Sequence, residues 1–290
     1  IFEPVISKSI EPVKPGDLPK LVEVLRKVNK EDPTVQVEIN EETGENIISG
    51  MGEMHLEVVE NRIRTEKGVE VKTGSPIVVY RETITKPSPE MEGKSPNKHN
   101  KFYMKVEPVP PELAKMIKED KIPSGRIKKK DEVLIEGLRS LGWDAKTANK
   151  VKAIHKGCVF LEATRGEVHL MEVIELVLDM FENVVGAGPL AKEPCINVMI
   201  TMTDTKLHED AIHRGPAQVY PAVRDAIRSA MMQAGPMLFE PLQILRIEAP
   251  VEYMGELSRL VTSKRGQLID MGQEGSLAVV KAKMPVAEMF

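Results

Sequence analysis

Apolar Val5, Ile6 and Ile10 flank the polar run Ser7-Lys8-Ser9, and residues 5–10 read as a strand. Pro15-Gly16 breaks the pattern and Asp17 suits a helix N-cap. Leu18, Leu21, Val22, Leu25 and Val28 then share one helical face until Asp32-Pro33 stops it. Val35, Val37 and Ile39 alternate as a second strand, 40–44 reads as a turn and 46–50 as a third strand. A helix over 53–65 carries Met54, Leu56, Val58, Val59 and Ile63; Gly68 ends it, and 69–71 reads as a last strand. The order β-α-β-β-α-β is the split-βαβ, ferredoxin-like layout, here over residues 1–80.

The same pattern returns near the C-terminus. Phe2-Glu3-Pro4 recurs as Phe239-Glu240-Pro241, and Ile10-Glu11 as Ile247-Glu248. After a one-residue slip, Leu21, Val24 and Leu25 match Leu257, Leu260 and Val261. The second copy, 239–290, reads strand (242–249), helix (252–263), Lys264-Arg265-Gly266 turn, strand (267–271), Gly-rich turn and strand (277–284). Its second helix and fourth strand are missing, which predicts a truncated domain with an exposed sheet edge.

The segment between the copies, 81–238, follows a different plan. A loop rich in Pro87, Pro89 and Gly93 precedes a strand over 101–107 and helices over 112–120, 133–141 and 166–185. Residues 118–132 carry Lys118, Lys121, Arg126, Lys128, Lys129 and Lys130, which fit either a solvated helix start or RNA phosphates. Trp143 reads as a packing residue. A β-branched run over 195–203 predicts a half-buried strand, and Gly215-Pro216 opens a helix over 217–234. The expected fold class is therefore α+β: two ferredoxin-like domains, the second truncated, flanking a larger α+β domain with a loop-bearing tip.

Between that strand and helix lies Asp204-Thr-Lys-Leu-His-Glu-Asp-Ala-Ile-His-Arg-Gly-Pro216, with two imidazoles, three carboxylates, Lys206 and Arg214. A zinc protease needs His at i and i+4 of a helix. His208 and His213 are one residue further apart, which would turn their rings roughly 140° from each other at about 100° per residue. A solvated polar loop and a nucleic-acid contact both remain. In the second, Lys206 and Arg214 meet phosphates while His and Asp groups meet base edges or 2′-hydroxyls.

Charge and composition narrow the context. The 290 residues are 41% hydrophobic and 29% charged with a net charge of −4, so any nucleic-acid contact must be local. Aromatic residues make up 4%, too few for a base-stacking platform. No apolar run reaches the eighteen or so residues of a membrane helix, and the first residues do not resemble a signal peptide. Cys158 and Cys195 are expected as buried free thiols of a cytoplasmic protein.

Two nucleotide-binding patterns fail. Gly93-Lys94-Ser95 lacks the earlier glycine of a phosphate-binding loop, since Ser88 stands there, and Pro96 follows where a helix should begin. Asn29-Lys30-Glu31-Asp32 matches a guanine-reading pattern but falls at a helix end.

Leu207-His208-x-Asp210-Ala211-Ile212-His213-Arg214-Gly215 resembles the domain IV tip loop of the elongation factor 2 family, the ribosomal translocases of archaea and eukaryotes. Gly215-Pro216-Ala217 replaces the glycine run of eukaryotic members and looks archaeal. Ser95-Pro96-Asn97-Lys98-His99-Asn100 resembles a second loop of the same tip. Further similarity lies in residues 17–22, 48–57, 80–83 and 264–266, so it covers essentially the whole chain. The resemblance implies domains III, IV and most of V of a GTP-dependent factor that moves tRNA and mRNA through the ribosome. It implies that His213 is converted to diphthamide, that His208, Asp210, Ile212 and Arg214 orient the loop or touch RNA, and that Asn97, Lys98 and His99 act from the second loop. GTP and Mg²⁺ would belong to N-terminal domains, leaving this fragment no catalysis and no cofactor of its own. The implied partners are the ribosome, tRNA–mRNA in the decoding region, the GTPase domain and domain II, with no membrane and a monomeric chain. The alternatives are a stand-alone interaction protein built from ferredoxin-like modules, and a metalloenzyme using His208, Asp210 and His213.

Overall fold

The computed structural model describes residues 3–39 and 46–289. The turn expected at 40–44 lies outside the described residues. Two units separate, one from residues 1–80 with 240–290 and one from 81–239.

The first segment runs β1 (Ile6–Pro12), α1 (Leu18–Glu31), β2 (Gln36–Ile39), β3 (Asn46–Gly50), α2 (Glu53–Thr65), β4 (Val71–Thr73) and β5 (Ile77–Val78). The sheet order β2-β3-β1-β4, with β3 antiparallel to both β1 and β2, is ferredoxin-like. Asp17 occupies the N-cap position of α1, but its side chain makes no capping hydrogen bond. Leu21, Leu25 and Val28 are buried as expected, but Val24 joins them in place of Val22, and Leu18 and Val22 are only half-buried. In α2 the buried stripe is Leu56, Val59, Glu60 and Ile63, whereas Met54 and Val58 are 78% and 54% exposed. Met54 and Val58 lie four residues apart on the opposite face, so they form their own exposed pair. Glu60 is buried because Lys8 meets it at 3.5 Å and Arg64 at 3.7 Å.

The second unit is built on a six-stranded sheet. Its elements are β6 (Arg81–Ile84), β7 (Met91–Lys94), β8 (Lys101–Pro108), α3 (Pro111–Lys118), β9 (Gly125–Arg126), α4 (Glu132–Ser140), α5 (Ala145–Ala148), β10 (Val151–His155), β11 (Cys158–Glu162), α6 (Leu170–Gly186), β12 (Val198–Lys206), α7 (Pro216–Gln233) and β13 (Pro236–Phe239). Six strands pair in the order β7-β8-β12-β11-β10-β9, and β6 pairs separately with β13. The strand expected to be half-buried is central instead: β12 lies between antiparallel β8 and parallel β11. Val198, Ile200 and Met202 pack with α6 and α7, while Met199 packs with α3 and α4 on the other face. A strand covered on both faces reads as a continuous apolar run, which is why its alternation misleads.

Other local readings meet the structure differently. Gly93 sits in strand β7, where an added Cβ would fall 1.8 Å from the carbonyl oxygen of Ala222 on α7. Its glycine serves that close approach. Trp143 packs against the α3–α4 core. Arg126, grouped above with candidate phosphate contacts, is turned inward. Its guanidinium meets Glu175 at 2.6 Å, Asp179 at 2.5 Å and Glu182 at 2.9 Å along α6. The structure adds the β10–β11 hairpin, which the pattern reading left out. Both thiols are buried and unpaired, and burial pushes Cys158 up to about 12.

The C-terminal segment carries β14 (Leu242–Pro250), α8 (Met254–Ser263), β15 (Gln267–Glu274) and β16 (Leu277–Pro285). Its order β14-β16-β15 matches β1-β3-β2 of the first copy, as the repeat predicts. Val286, just past β16, is fully buried in the core of β1, α1, β3 and α2.

Candidate nucleic-acid interface

Two loops meet at one end of the six-stranded sheet. β7 and β8 pair antiparallel, with Lys94 opposite Lys101, and residues 95–100 close that hairpin. Ser95 donates its N–H to the Asn100 carbonyl at 2.9 Å, and Lys98 donates its own to Ser95 at 2.8 Å. The second loop, 207–215, leaves the end of β12, whose Lys206 pairs with Lys101 at the start of β8. Strand pairing therefore brings together stretches more than a hundred residues apart in the chain.

The second loop is tightly turned. Asp210 caps a short 3-10 turn, Ala211–His213, by accepting the N–H of Ile212 at 3.2 Å. The N–H of Asp210 donates to Nδ1 of His208 at 3.0 Å, so the neutral His208 ring carries its proton on Nε2. Gly215 then takes the N-cap position of α7, with Pro216 in its first turn.

The first loop grips the second. The side chains of Asn97 and Asn100 both donate to the carbonyl of His213, at 3.0 and 2.8 Å. Asn100 also accepts the N–H of His208 at 3.0 Å, and the N–H of Asn97 donates to Gln218 on α7 at 2.8 Å. Above these contacts three imidazoles gather. The ring centroids of His99 and His208 lie 4.8 Å apart, His99 and His213 5.0 Å, and His208 and His213 4.4 Å. Among the described residues no group of three or more His, Cys, Asp and Glu side chains could hold a metal ion.

The residues singled out by sequence divide into two kinds. Lys98, His99, Asp210 and Ile212 are exposed, and Ile212 is 78% exposed despite its apolar side chain. Lys98 adopts a left-handed φ of 64° at the tip of its turn. His208, His213 and Asn97 are half-buried. Arg214 is 5% exposed, and its Nη2 meets Glu172 on α6 at 2.7 Å, so its guanidinium faces a carboxylate rather than solvent. Nδ1 of His169 and the guanidinium of Arg214 hold the Glu172 carboxyl below the usual carboxylate range. The cations left facing solvent near the loops are Lys94, Lys98 and Lys206.

Asn100, Ser95, Gln218 and Glu172 also shape this end of the sheet, and sequence reasoning did not assign them roles. Asn100 had a signal, since it closes the quoted motif and is polar at a strand start. Glu172 and Gln218 had none, because each acts on a loop remote in sequence.

Three family models match the chain: elongation factor G domain III over residues 1–75, domain IV over 125–235 and the elongation factor G C-terminus over 237–290. Elongation factor 2 of Pyrococcus furiosus is 52% identical over 290 residues, covering the whole chain and 40% of that protein. Elongation factor 2 of Methanocaldococcus jannaschii is 51% identical over 292 residues, and that of Nanoarchaeum equitans 48% over 294, each again covering the whole chain and 40% of the relative. The chain thus spans about 40% of the length of the curated relatives it matches. On that similarity, and with domain III, IV and C-terminal matches in the family's order, the chain belongs to the elongation factor 2 family.

Proposed function

We propose that this chain is the lever and tip of a GTP-dependent ribosomal translocase, a cytoplasmic factor that works as a monomer and moves tRNA and mRNA. GTP and Mg²⁺ belong to the parent's N-terminal domains, which together with domain II drive the part described here; this chain holds no catalytic residue of its own. The loops at 95–100 and 207–215 enter the decoding region. The observation that carries this reading is the stapling of those two remote loops into one ordered tip through Asn97 and Asn100.

His213 is the site of the diphthamide modification in this reading. A fixed quaternary ammonium there suits phosphate and ribose without depending on a proton. His99, His208, Lys98 and Ile212 supply the surrounding contact surface, and Asp210 and Arg214 hold the loop in shape. Placed in the full-length factor, Asp210→Ala and His213→Ala are expected to slow translocation or raise frame errors while GTP binding stays unchanged. Normal translation with both variants would overturn the assignment of this tip. A peptide mass across residues 201–214 from the native organism is expected to show an increment on His213.

A further inference from the structure

Asn100 has no solvent exposure although it ends an exposed loop. Its carboxamide lies between two backbone groups of the other loop, five residues apart. Oδ1 accepts the N–H of His208, and Nδ2 donates to the carbonyl of His213. These partners fix which end of the amide is oxygen. Ser95 secures the amide from behind, its Oγ accepting from the Asn100 backbone N–H at 2.9 Å and from Nδ2 at 3.3 Å.

We propose that Asn100 is the positioning residue of the tip: one carboxamide closes the 208–213 turn and thereby holds the His213 ring beside His99 and His208. This deepens the tip reading and relies on it only for the purpose the posture serves. The chemistry demands a group that donates and accepts at once. Alanine does neither. An ionised aspartate only accepts, and it would set its lone pairs against the His213 carbonyl. A protonated aspartic acid again offers one donor and one acceptor in nearly the same shape. Asn97 has a lesser part, since it donates to His213 but does not touch the His208 N–H.

The test uses the whole chain labelled with ¹⁵N-histidine, which has six histidines and so six backbone amide signals. His55 and His155 report on the folded state, and His208 and His213 on the turn. In Asn100→Asp at neutral pH the His208 and His213 signals are expected to shift from the wild type while the two fold reporters stay in place. On acidification the difference between variant and wild type should vanish as the new carboxyl takes up its proton. His99, His208, His213 and Asp210 face this site in both proteins, so each variant is compared with wild type at the same pH. In Asn100→Ala the shift should persist at every pH. A variant signal equal to wild type at neutral pH, or an Asp difference that acid leaves unchanged, would overturn the proposal. If the buried substitutions disturb the fold reporters, Asn97→Ala decides: a shift at His213 with His208 unmoved supports the clamp, and any other pattern overturns it. None of these signals involves the ribosome, so the clamp and the ribosomal reading can fail separately.

Discussion

Arg214 is a buried cation with one ionic partner, and its Nε and Nη1 meet no hydrogen-bond partner among the described residues. An unpaired buried polar group costs about 1–3 kcal/mol. Replacing a whole buried ion pair with apolar side chains is often neutral, whereas removing one partner is costly when the charge left behind is buried and mild when it is exposed to water. Arg214→Met is therefore expected to change unfolding free energy by about 1 kcal/mol or less. Glu172→Ala is expected to be the more destabilising of the two, since it strands the buried guanidinium. Urea unfolding of both variants checks the order, and a costlier Arg214→Met would show that the cation itself stabilises the tip. Arg214 also marks how far a residue can be read alone. A guanidinium in a polar loop suggests phosphate, but only the approach of α6 shows that a carboxylate has already claimed it.

At the scale of elements, Arg126 ties β9 to α6. Glu175, Asp179 and Glu182 fall at successive turns of one helix face and converge on one guanidinium, while Tyr220 from α7 donates to Asp179 at 2.9 Å. The Arg126 guanidinium holds the carboxyls of Asp179 and Glu182 below their usual range. Their pKa values are thus lower in the folded than in the unfolded chain. The stability they contribute is present above the unfolded carboxylate values, near pH 4, and is lost as pH falls through the folded ones. Arg126→Met is expected to destabilise the 81–239 unit by about 1–2 kcal/mol at pH 7, a modest figure because the carboxylates are partly exposed. That deficit should shrink as pH drops below about 4. Urea unfolding at a series of pH values checks this, and a pH-independent deficit would mean that packing of the arginine stem carries the effect.

The elements themselves were legible to different degrees for physical reasons. α1 and α7 carry buried apolar residues at helical spacing, which located them closely, whereas α2 and β3 were bounded mainly by the turn residues around them. The hairpin of β10 and β11 also had a local signal. Lys156 and Gly157 both take positive φ, 47° and 83°, between two apolar runs, a two-residue turn that glycine favours. The two runs are short and the second is apolar on both faces, so neither showed alternation. Gly93 looked like part of a phosphate loop because its partner, the backbone of α7, is 129 residues away.

Across the whole molecule, the first and last segments of the chain contribute to one unit. Val286 is the clearest link, since the core of the first ferredoxin-like copy fully buries it, and Gln243 adds a hydrogen bond at 2.5 Å to the carbonyl of Met51. Val286→Ala removes two methyl groups from that core and is expected to cost about 1–3 kcal/mol. Hydrogen exchange should then speed up in the helices and strands of residues 6–78 while the 81–239 unit keeps its protection. Unchanged exchange in the first copy would show that the C-terminal segment adds nothing to its core.

Sequence alone determined what is local or periodic. The two β-α-β-β patterns and the loop between β12 and α7 follow from neighbouring residues, because helix and strand periods and turn chemistry act within a few positions, while the pairing of the motifs at 95–100 and 207–215 was legible only through their resemblance to the elongation factor 2 tip. Tertiary structure alone decided the partners. It placed β12 at the centre of its sheet, turned Arg126 and Arg214 inward to carboxylates on α6, and set one carboxamide between His208 and His213. Such pairings depend on which segments the sheet and helices bring within hydrogen-bonding distance, and that is a property of the folded backbone rather than of spacing along the chain.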